Sequence, residues 1–267
     1  MRIRCSELGL IMSDDSRTTI TAKQLDRLKE LESKIKLTEK QALERNTLQQ
    51  KRDAKPELSK GAKSFIQKKA LHDKYSIEDA IESRYLDKGI ICEDDAIRLY
   101  NDTKHPNKLL YKNEEGFHND WIAGTPDLIL DDMIVDVKCS WSIDSFPWFE
   151  TSLNRNYYWQ LQAYMWLTGK SKSELVYVLV NTPDHLFQQE LQREIWKVKD
   201  TQGVLDISAE VESDIYEELI LKHNFDRIPF EKRVKVFEIE ADILEQSKIQ
   251  EKVELARSYY AEVYETV

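Results

Sequence analysis

The sequence predicts an α/β fold in which a sheet is flanked by helices and carries a helical N-terminal elaboration. Three observations lead there. The first hundred residues are charged and helix-favouring, with Leu25, Leu28, Leu31 and Ile35 at helical spacing. Residues 108–138 then break into short β-favouring runs separated by Asn, Gly and Asp clusters. After them, a strong helical stretch from Tyr157 to Thr168, stopped by Gly169, precedes Leu175 to Asn181, an apolar run that reads as a strand covered on both faces.

Taken in order, Ile20 to Asp53 has no Gly or Pro and reads as a helical hairpin. Its break falls around Ile35 to Leu37, where Thr38 followed by Glu39 and Gln41 gives a capping-box signal for the second arm. Such an arm packs on the body or on a neighbouring subunit. Pro56 ends it. Leu58 to Tyr75 restarts a helix bearing Lys60, Lys63, Lys68 and Lys69, a local reversal of charge that suits either a solvated face or a surface facing phosphates. Ser76 is expected to cap a further helix through Leu86, with a break at Gly89 and another helix from Cys92 to Tyr100. Lys108 to Lys112, Trp121 to Leu130 and Met133 to Lys138 read as a three-strand meander. Beyond Pro183 come helices from Asp184 to Lys197 and Ser208 to His223, a strand from Arg233 to Ile239 and a helix from Ala241 to Tyr264. The reading is of one domain over 1–267, with a hairpin insertion at 20–53, a core at 58–182 and C-terminal helices plus one strand at 184–267.

Composition narrows the function. The 267 residues hold 39 basic and 49 acidic side chains, a formal net charge of -10. Such a chain is not built to coat nucleic acid non-specifically, since backbone binding is driven by Lys and Arg displacing counterions. A locally basic groove remains compatible with it. Cys5, Cys92 and Cys139 are scattered, which indicates neither a disulfide framework nor a thiolate metal site. The five His form no ligand-spaced pair, arguing against a zinc hydrolase, and neither a GxxxxGK[ST] loop nor a GxSxG elbow is present. No window suits a membrane span and the first residues lack the apolar run of a signal peptide, so the expected location is the cytoplasm, with no membrane partner.

The chemistry concentrates between Ala123 and Lys138. On a strand, alternate side chains share a face, so Asp136 and Lys138 point one way while Val135 and Val137 point into the core. A hairpin turning at Asp131-Asp132 folds Asp127 back towards them. Two carboxylates and one ammonium beside an apolar strand are costly unless they pair or bind a metal, so the residues suit a salt-bridged hairpin or a cation site. All-oxygen ligation favours Mg²⁺ or Mn²⁺. Such a site suits phosphate chemistry, with Lys138 orienting a water or neutralising charge on phosphorus.

Pro126-Asp127, followed after eight residues by Asp136-Val137-Lys138, resembles the PD-(D/E)xK nuclease signature. Upstream, Gly89-Ile-Ile-Cys-Glu93-Asp-Asp-Ala96 resembles the family's G-x-x-x-E-x-x-A helix, and downstream Gln160-Leu-Gln-Ala-Tyr164 resembles its Q-x-x-x-Y helix. The set resembles the phage-recombination exonucleases of the YqaJ-type, lambda-exonuclease-like group and the RecB-like exonucleases, over roughly residues 58 to 182. The resemblance implies a restriction-endonuclease-like αβββαβ core with a central mixed sheet. It makes Glu93, Asp127 and Asp136 metal ligands, joined by the carbonyl of Val137, with Lys138 beside the nucleophilic water. Asp136 stands where the family usually has Glu. Gln160 becomes a contact to the strand or to the site's water shell, with Tyr164 positioning it. Arg4 and Ser6 are similar to the family's Arg/Ser opening, which holds a terminal phosphate. Lys60 and Lys63 become DNA contacts of a channel lining.

The activity so implied is a Mg²⁺- or Mn²⁺-dependent deoxyribonuclease using two ions, degrading one strand of linear duplex DNA 5′ to 3′ from an end. A ring-shaped trimer and a single-strand annealing partner come with it. Two rivals stay open: a RecB-like nuclease of other polarity or an endonuclease, and a non-catalytic DNA-binding or assembly module of the same fold. Trp141, Phe146, Trp148 and Phe149 lie beside the motif, placed either to stack on bases or to pack.

Overall fold

A computed structural model describes residues 1–13, 20–54, 57–78 and 83–267. In chain order its elements are β1 (Ile3–Arg4), α1 (Leu8–Ile11), α2 (Ala22–Glu32), α3 (Glu39–Asp53), α4 (Lys60–Tyr75), α5 (Arg84–Ile91) and α6 (Glu93–Lys104). There follow β2 (Phe117–His118), β3 (Ile122–Gly124), β4 (Leu128–Ile129), β5 (Met133–Cys139), α7 (Arg155–Thr168) and β6 (Lys172–Val178). The chain ends with α8 (Asp184–Gln202), α9 (Ala209–His223), β7 (Val234–Glu240) and α10 (Ile243–Thr266). Among the described residues no helix is long and apolar enough to cross a membrane.

Two compact units result. The first gathers residues 1–79, 118–123 and 242–267. Here α4 packs along α10, burying Ala62, Ile66 and Ala70 with Ile249, Val253 and Ala256, and α1 adds Leu8 and Ile11. β1 pairs with β3 in parallel, Ile3 beside Ile122. The expected hairpin is present: α2 and α3 each start on a threonine capping box, Thr21 with Gln24 and Thr38 with Gln41, and they close on Leu28, Leu31 and Leu48. Pro56, read as the end of that arm, lies outside the described residues.

The second unit, residues 80–117 and 124–241, is a mixed sheet with helices packed on it. Its order is β4-β5-β6-β7. β5 and β6 run parallel along their whole length, while β4 and β7 are antiparallel additions at either edge. Val135 and Val137 face α6, where Ala96, Ile97 and Tyr100 complete an apolar layer with Leu128, Val176 and Val178. On the other face of the same strand, Asp136 meets Gln160 of α7. Phe187, Leu191, Ile195 and Leu219 join α8 to α9.

Several expectations are corrected. Ser76 does not start a helix; it ends α4 in the left-handed conformation, with φ of 53°. The helix expected through Leu86 begins only at Arg84, and residues 79–82 lie outside the description. Gly89 does not break the chain, for a glycine with no φ demand is simply carried inside α5; the break falls at Cys92, with φ -95° and ψ 5°. Lys108 to Lys112 is not a strand, although Leu110 still packs on the apolar layer. Trp121 to Leu130 divides into β3 and β4, which serve different sheets, because Pro126 between them has no N–H for a ladder. Residues 108–138 are therefore not a meander. β6 starts three residues earlier than the apolar run suggested and stops at Val178.

The stop after α7 is conformational. Gly169 has φ of 69°, and a Cβ there would meet no heavy atom within 4 Å. Gly169→Ala is therefore expected to cost only the left-handed penalty of about 1 kcal/mol, lowering the melting temperature by about 2 to 4 °C in a thermal scan without changing the fold.

Candidate active site

The site is built on β5. Its alternation sends Asp136, 1% exposed, away from the Val135 and Val137 layer and onto α7. There Gln160 Nε2 donates to Asp136 Oδ1 at 3.0 Å and to Tyr164 Oη at 3.1 Å. The other oxygen, Oδ2, lies 2.6 Å from Lys138 Nζ, the neighbour two residues along the same face. That contact is a close ion pair, and Asp136 helps to hold the Lys138 ammonium protonated. Lys138 also stands 5.7 Å from the centre of the Tyr157 ring.

Asp127 reaches the same place from the other arm of the hairpin. Leu128 pairs with Val135, and continuing that register sets Pro126 opposite Val137. A proline has no N–H to give to the carbonyl of Val137. The Val137 N–H is taken instead by Asp127 Oδ2 at 2.6 Å, while Asn113 Nδ2 donates to the Pro126 carbonyl at 3.0 Å. The Pro-Asp pair thus ends the ladder and substitutes a carboxylate for it.

Glu93 is the first residue of α6. Its Oε2 accepts from Lys112 Nζ at 2.7 Å. Lys112 was not legible as a site residue, for it lies in irregular chain 19 positions from its partner. Together with Tyr85, Ile90, Trp141 and Tyr157, the residues Glu93, Asp127, Val137 and Lys138 line a cleft of about 430 Å³.

The electrostatics are unbalanced. Burial first, and the nearby charge of Asp136 second, push the Asp127 carboxyl up to about 7, against the pull of Lys138 and the Val137 N–H. Burial alone would lower Lys138, but the carboxylates of Asp136 and Asp127 outweigh it and hold the ammonium above its ordinary value. One ammonium is shared between two crowded carboxylates.

Among the described residues no three His, Cys, Asp or Glu side chains stand ready to hold an ion. As they stand, Glu93, Asp127 and Asp136 are each engaged by a protein partner: Lys112, the Val137 N–H and Lys138 respectively. The donor chemistry nevertheless fits a hard divalent cation. Two carboxylates, Glu93 and Asp127, line the cleft and a third, Asp136, is paired with the cleft-lining Lys138, an all-oxygen donor set of the kind such an ion takes.

The remaining sequence candidates divide by unit. Arg4, Ser6, Lys60 and Lys63 belong to the first unit, all exposed, with Lys63 Nζ 5.9 Å from the Tyr259 ring centre. Of the aromatics, Trp141 and Phe146 are buried and pack, Trp148 is half-buried with its indole N–H on the Ile143 carbonyl, and Phe149 is 93% exposed.

Neither a family model nor a curated protein matches the chain. Among solved structures, it resembles a phage-related exonuclease from Haemophilus somnus 129PT, with a TM-score of 0.69 and 24% identity over 100% of this chain and 96% of that one. An alkaline exonuclease from Laribacter hongkongensis also matches at a TM-score of 0.48 and 13% identity, over 94% of this chain and 92% of that one. The same enzyme in complex with dAMP matches at 0.48 and 13%, over 98% and 93%. The chain shares its overall fold with the phage-related exonuclease.

A raised carboxyl has a definite consequence for stability. Between the ordinary carboxylate range near 4 and about 7, the native state holds a proton on Asp127 that the unfolded chain has released. Stability from this group is fully present below that window and is lost as pH rises through 7, by about 1.4 kcal/mol for each tenfold preference in proton binding. Denaturant unfolding in EDTA from pH 4 to 8 is expected to show this decline, and Asp127→Asn to flatten it; a decline of equal slope in the variant assigns the effect elsewhere.

Proposed function

We propose that the protein is a metal-dependent deoxyribonuclease acting on the ends of linear duplex DNA. The observation that carries this reading is the cluster of Asp127, Asp136, Lys138 and Gln160, of which Asp127 and Lys138 line a cleft while Asp136 and Gln160 are buried beside it, on a fold shared with a phage-related exonuclease. Asp127, Asp136 and Glu93 would hold the ion, with the Val137 carbonyl on the same strand. A bound Mg²⁺ or Mn²⁺ supplies Lewis-acid polarisation of a phosphodiester oxygen and acidifies water.

The protein's own groups do the rest. Gln160 fixes the carboxylate plane of Asp136 through Oδ1 and so leaves Oδ2 turned towards Lys138. Lys138 stays protonated in this setting, which suits it to orient an attacking water and to offset charge gathering on phosphorus rather than to remove a proton. Lys112 forms an ion pair with Glu93 at 2.7 Å. Digestion from the 5′ end, a ring-shaped homo-oligomer, an annealing partner and phosphate contacts by Arg4 and Ser6 are parts of the same proposal, supported by the motif resemblance.

The test uses end-labelled duplexes with a 5′-phosphate, with a 5′-hydroxyl, or closed and without ends. Wild-type protein with Mg²⁺ is expected to release nucleotides from the linear forms alone, fastest from the 5′-phosphate. Lys138→Ala and Asp127→Ala should each slow release by about 100-fold or more. Undiminished cleavage by both variants removes the assigned site, and cutting of closed circles makes the enzyme an endonuclease. Independently of turnover, Mg²⁺ or Mn²⁺ should raise the melting temperature of the wild type, an effect expected to vanish in Asp127→Asn.

A further inference from the structure

We propose that Lys88 is a positioning residue of this site, an internal pin whose ammonium holds the Ser140–Trp141 turn that walls the cleft. The pin itself rests on geometry alone; its effect on DNA rests on the nuclease reading.

Lys88 is 0% exposed, in the middle of α5. Its Nζ donates to the carbonyls of Ser140 at 2.9 Å and Trp141 at 3.0 Å and to Thr182 Oγ1 at 3.0 Å. An ammonium has three protons, and all three are used on neutral oxygens. Its hydrogen-bond partners include no carboxylate, so the charge is held by dipoles, and by the rings of Phe225 at 5.2 Å and Trp141 at 5.9 Å. Burial lowers the amine to about 8, with Cys92 and Cys139 offsetting part of the drop. Burying a cation in this way is costly, and a methionine of similar shape would fill the same space more cheaply. What the cation does that an apolar chain does not is bind two consecutive carbonyls at once.

Those carbonyls lie where the sheet stops supporting β5. The β5–β6 ladder ends at Cys139 beside Val178, followed by one more bond from the Ser140 N–H to the Val178 carbonyl at 2.9 Å. Asp136 and Lys138 fall inside the ladder and are fixed without help. Ser140, Trp141 and Ser145 line the cleft beyond it. Trp141 is further clamped edge-on by Tyr85 and His223, and Arg84 lies 5.1 Å over its ring. Losing the pin therefore releases a wall of the cleft and not the ion pair, which places the effect in substrate binding.

Lys88→Met keeps the stem and removes the donors. Its KM for linear duplex is expected to rise by about tenfold, the equivalent of one or two lost hydrogen bonds, with kcat within about twofold of wild type. Acrylamide quenching of tryptophan fluorescence is expected to rise in the variant, and the increment to disappear in a Trp141→Phe background, a signature that a uniformly weakened fold does not give. Thr182→Val, which leaves the charge with two carbonyls, should move both readouts in the same direction and less far, and it decides the matter if Lys88→Met does not fold. Unchanged Trp141 quenching, or a fall in kcat at constant KM, overturns the pin. If wild-type protein cuts no DNA the nuclease reading fails, while the quenching comparison still tests the pin.

Discussion

Strand β5 carries two loads that pull in opposite directions. One face must be apolar, because Val135 and Val137 close the layer against α6. The other must hold ionised groups almost without water, because Asp136 lies under α7. A period of two residues is what permits both, and a shift of register by one would turn the carboxylate into the apolar layer and the valines onto Gln160. The full-length parallel ladder with β6 prevents that shift: seven consecutive residue pairs, Met133 with Lys172 through Cys139 with Val178, would have to slip together.

Placing charge on the polar face creates a shortage of counter-charge. Asp136 has Lys138 and Gln160, so it is stabilised by an ion pair and a hydrogen bond. Asp127, among the described residues, accepts one hydrogen bond, from the Val137 N–H, and burial together with the charge of Asp136 raises its carboxyl. A structural salt-bridged hairpin would have been improved by another cation at this point. Lys112 is nearby in the same cleft region but is spent on Glu93. The imbalance supports the proposed ion-binding reading, since a raised carboxyl beside a second carboxylate is costly in a purely structural hairpin.

Much of this was legible in the sequence, and the failures have physical causes. Alternation along Asp136-Val137-Lys138 and the turn at Asp131-Asp132 were sufficient to place the polar face and the hairpin, because both depend on local geometry. The i and i+4 spacing of Gln160 and Tyr164 put them on one helical face, and their side chains do touch. What local pattern did not reveal was where strands end. Trp121 to Leu130 carries β-favouring residues at both ends, yet Pro126 divides it between two sheets, and Lys108 to Lys112 pairs with no strand among the described residues. Helix boundaries around Gly89 and Cys92 were misplaced for a related reason: Gly marks permission to break and not a break, and the break falls at Cys92, whose residue type carries no local signal for it. Lys112 and Lys88 were invisible, since one lysine among many gains its role only from partners 19 to 94 positions away.

The same division shows how the cleft is made. Inside the ladder, backbone groups satisfy one another and side chains are available for the apolar layer or for charge. At both places where a neighbouring strand lets go of β5, a side chain takes over the backbone: Asp127 accepts the Val137 N–H where β4 pairing has ended and the Pro126 carbonyl is taken by Asn113, and Lys88 donates to the carbonyls of Ser140 and Trp141 beyond Cys139. An open end of a sheet would otherwise fray or fill with water, because buried backbone groups left unpaired cost as much as a lost hydrogen bond. Using one carboxylate and one ammonium for that purpose keeps the edges of β5 rigid while leaving a concavity between them. The groups that close the sheet and the groups that face the cleft therefore belong to one arrangement, in which the chemistry occupies the interval that the backbone leaves open.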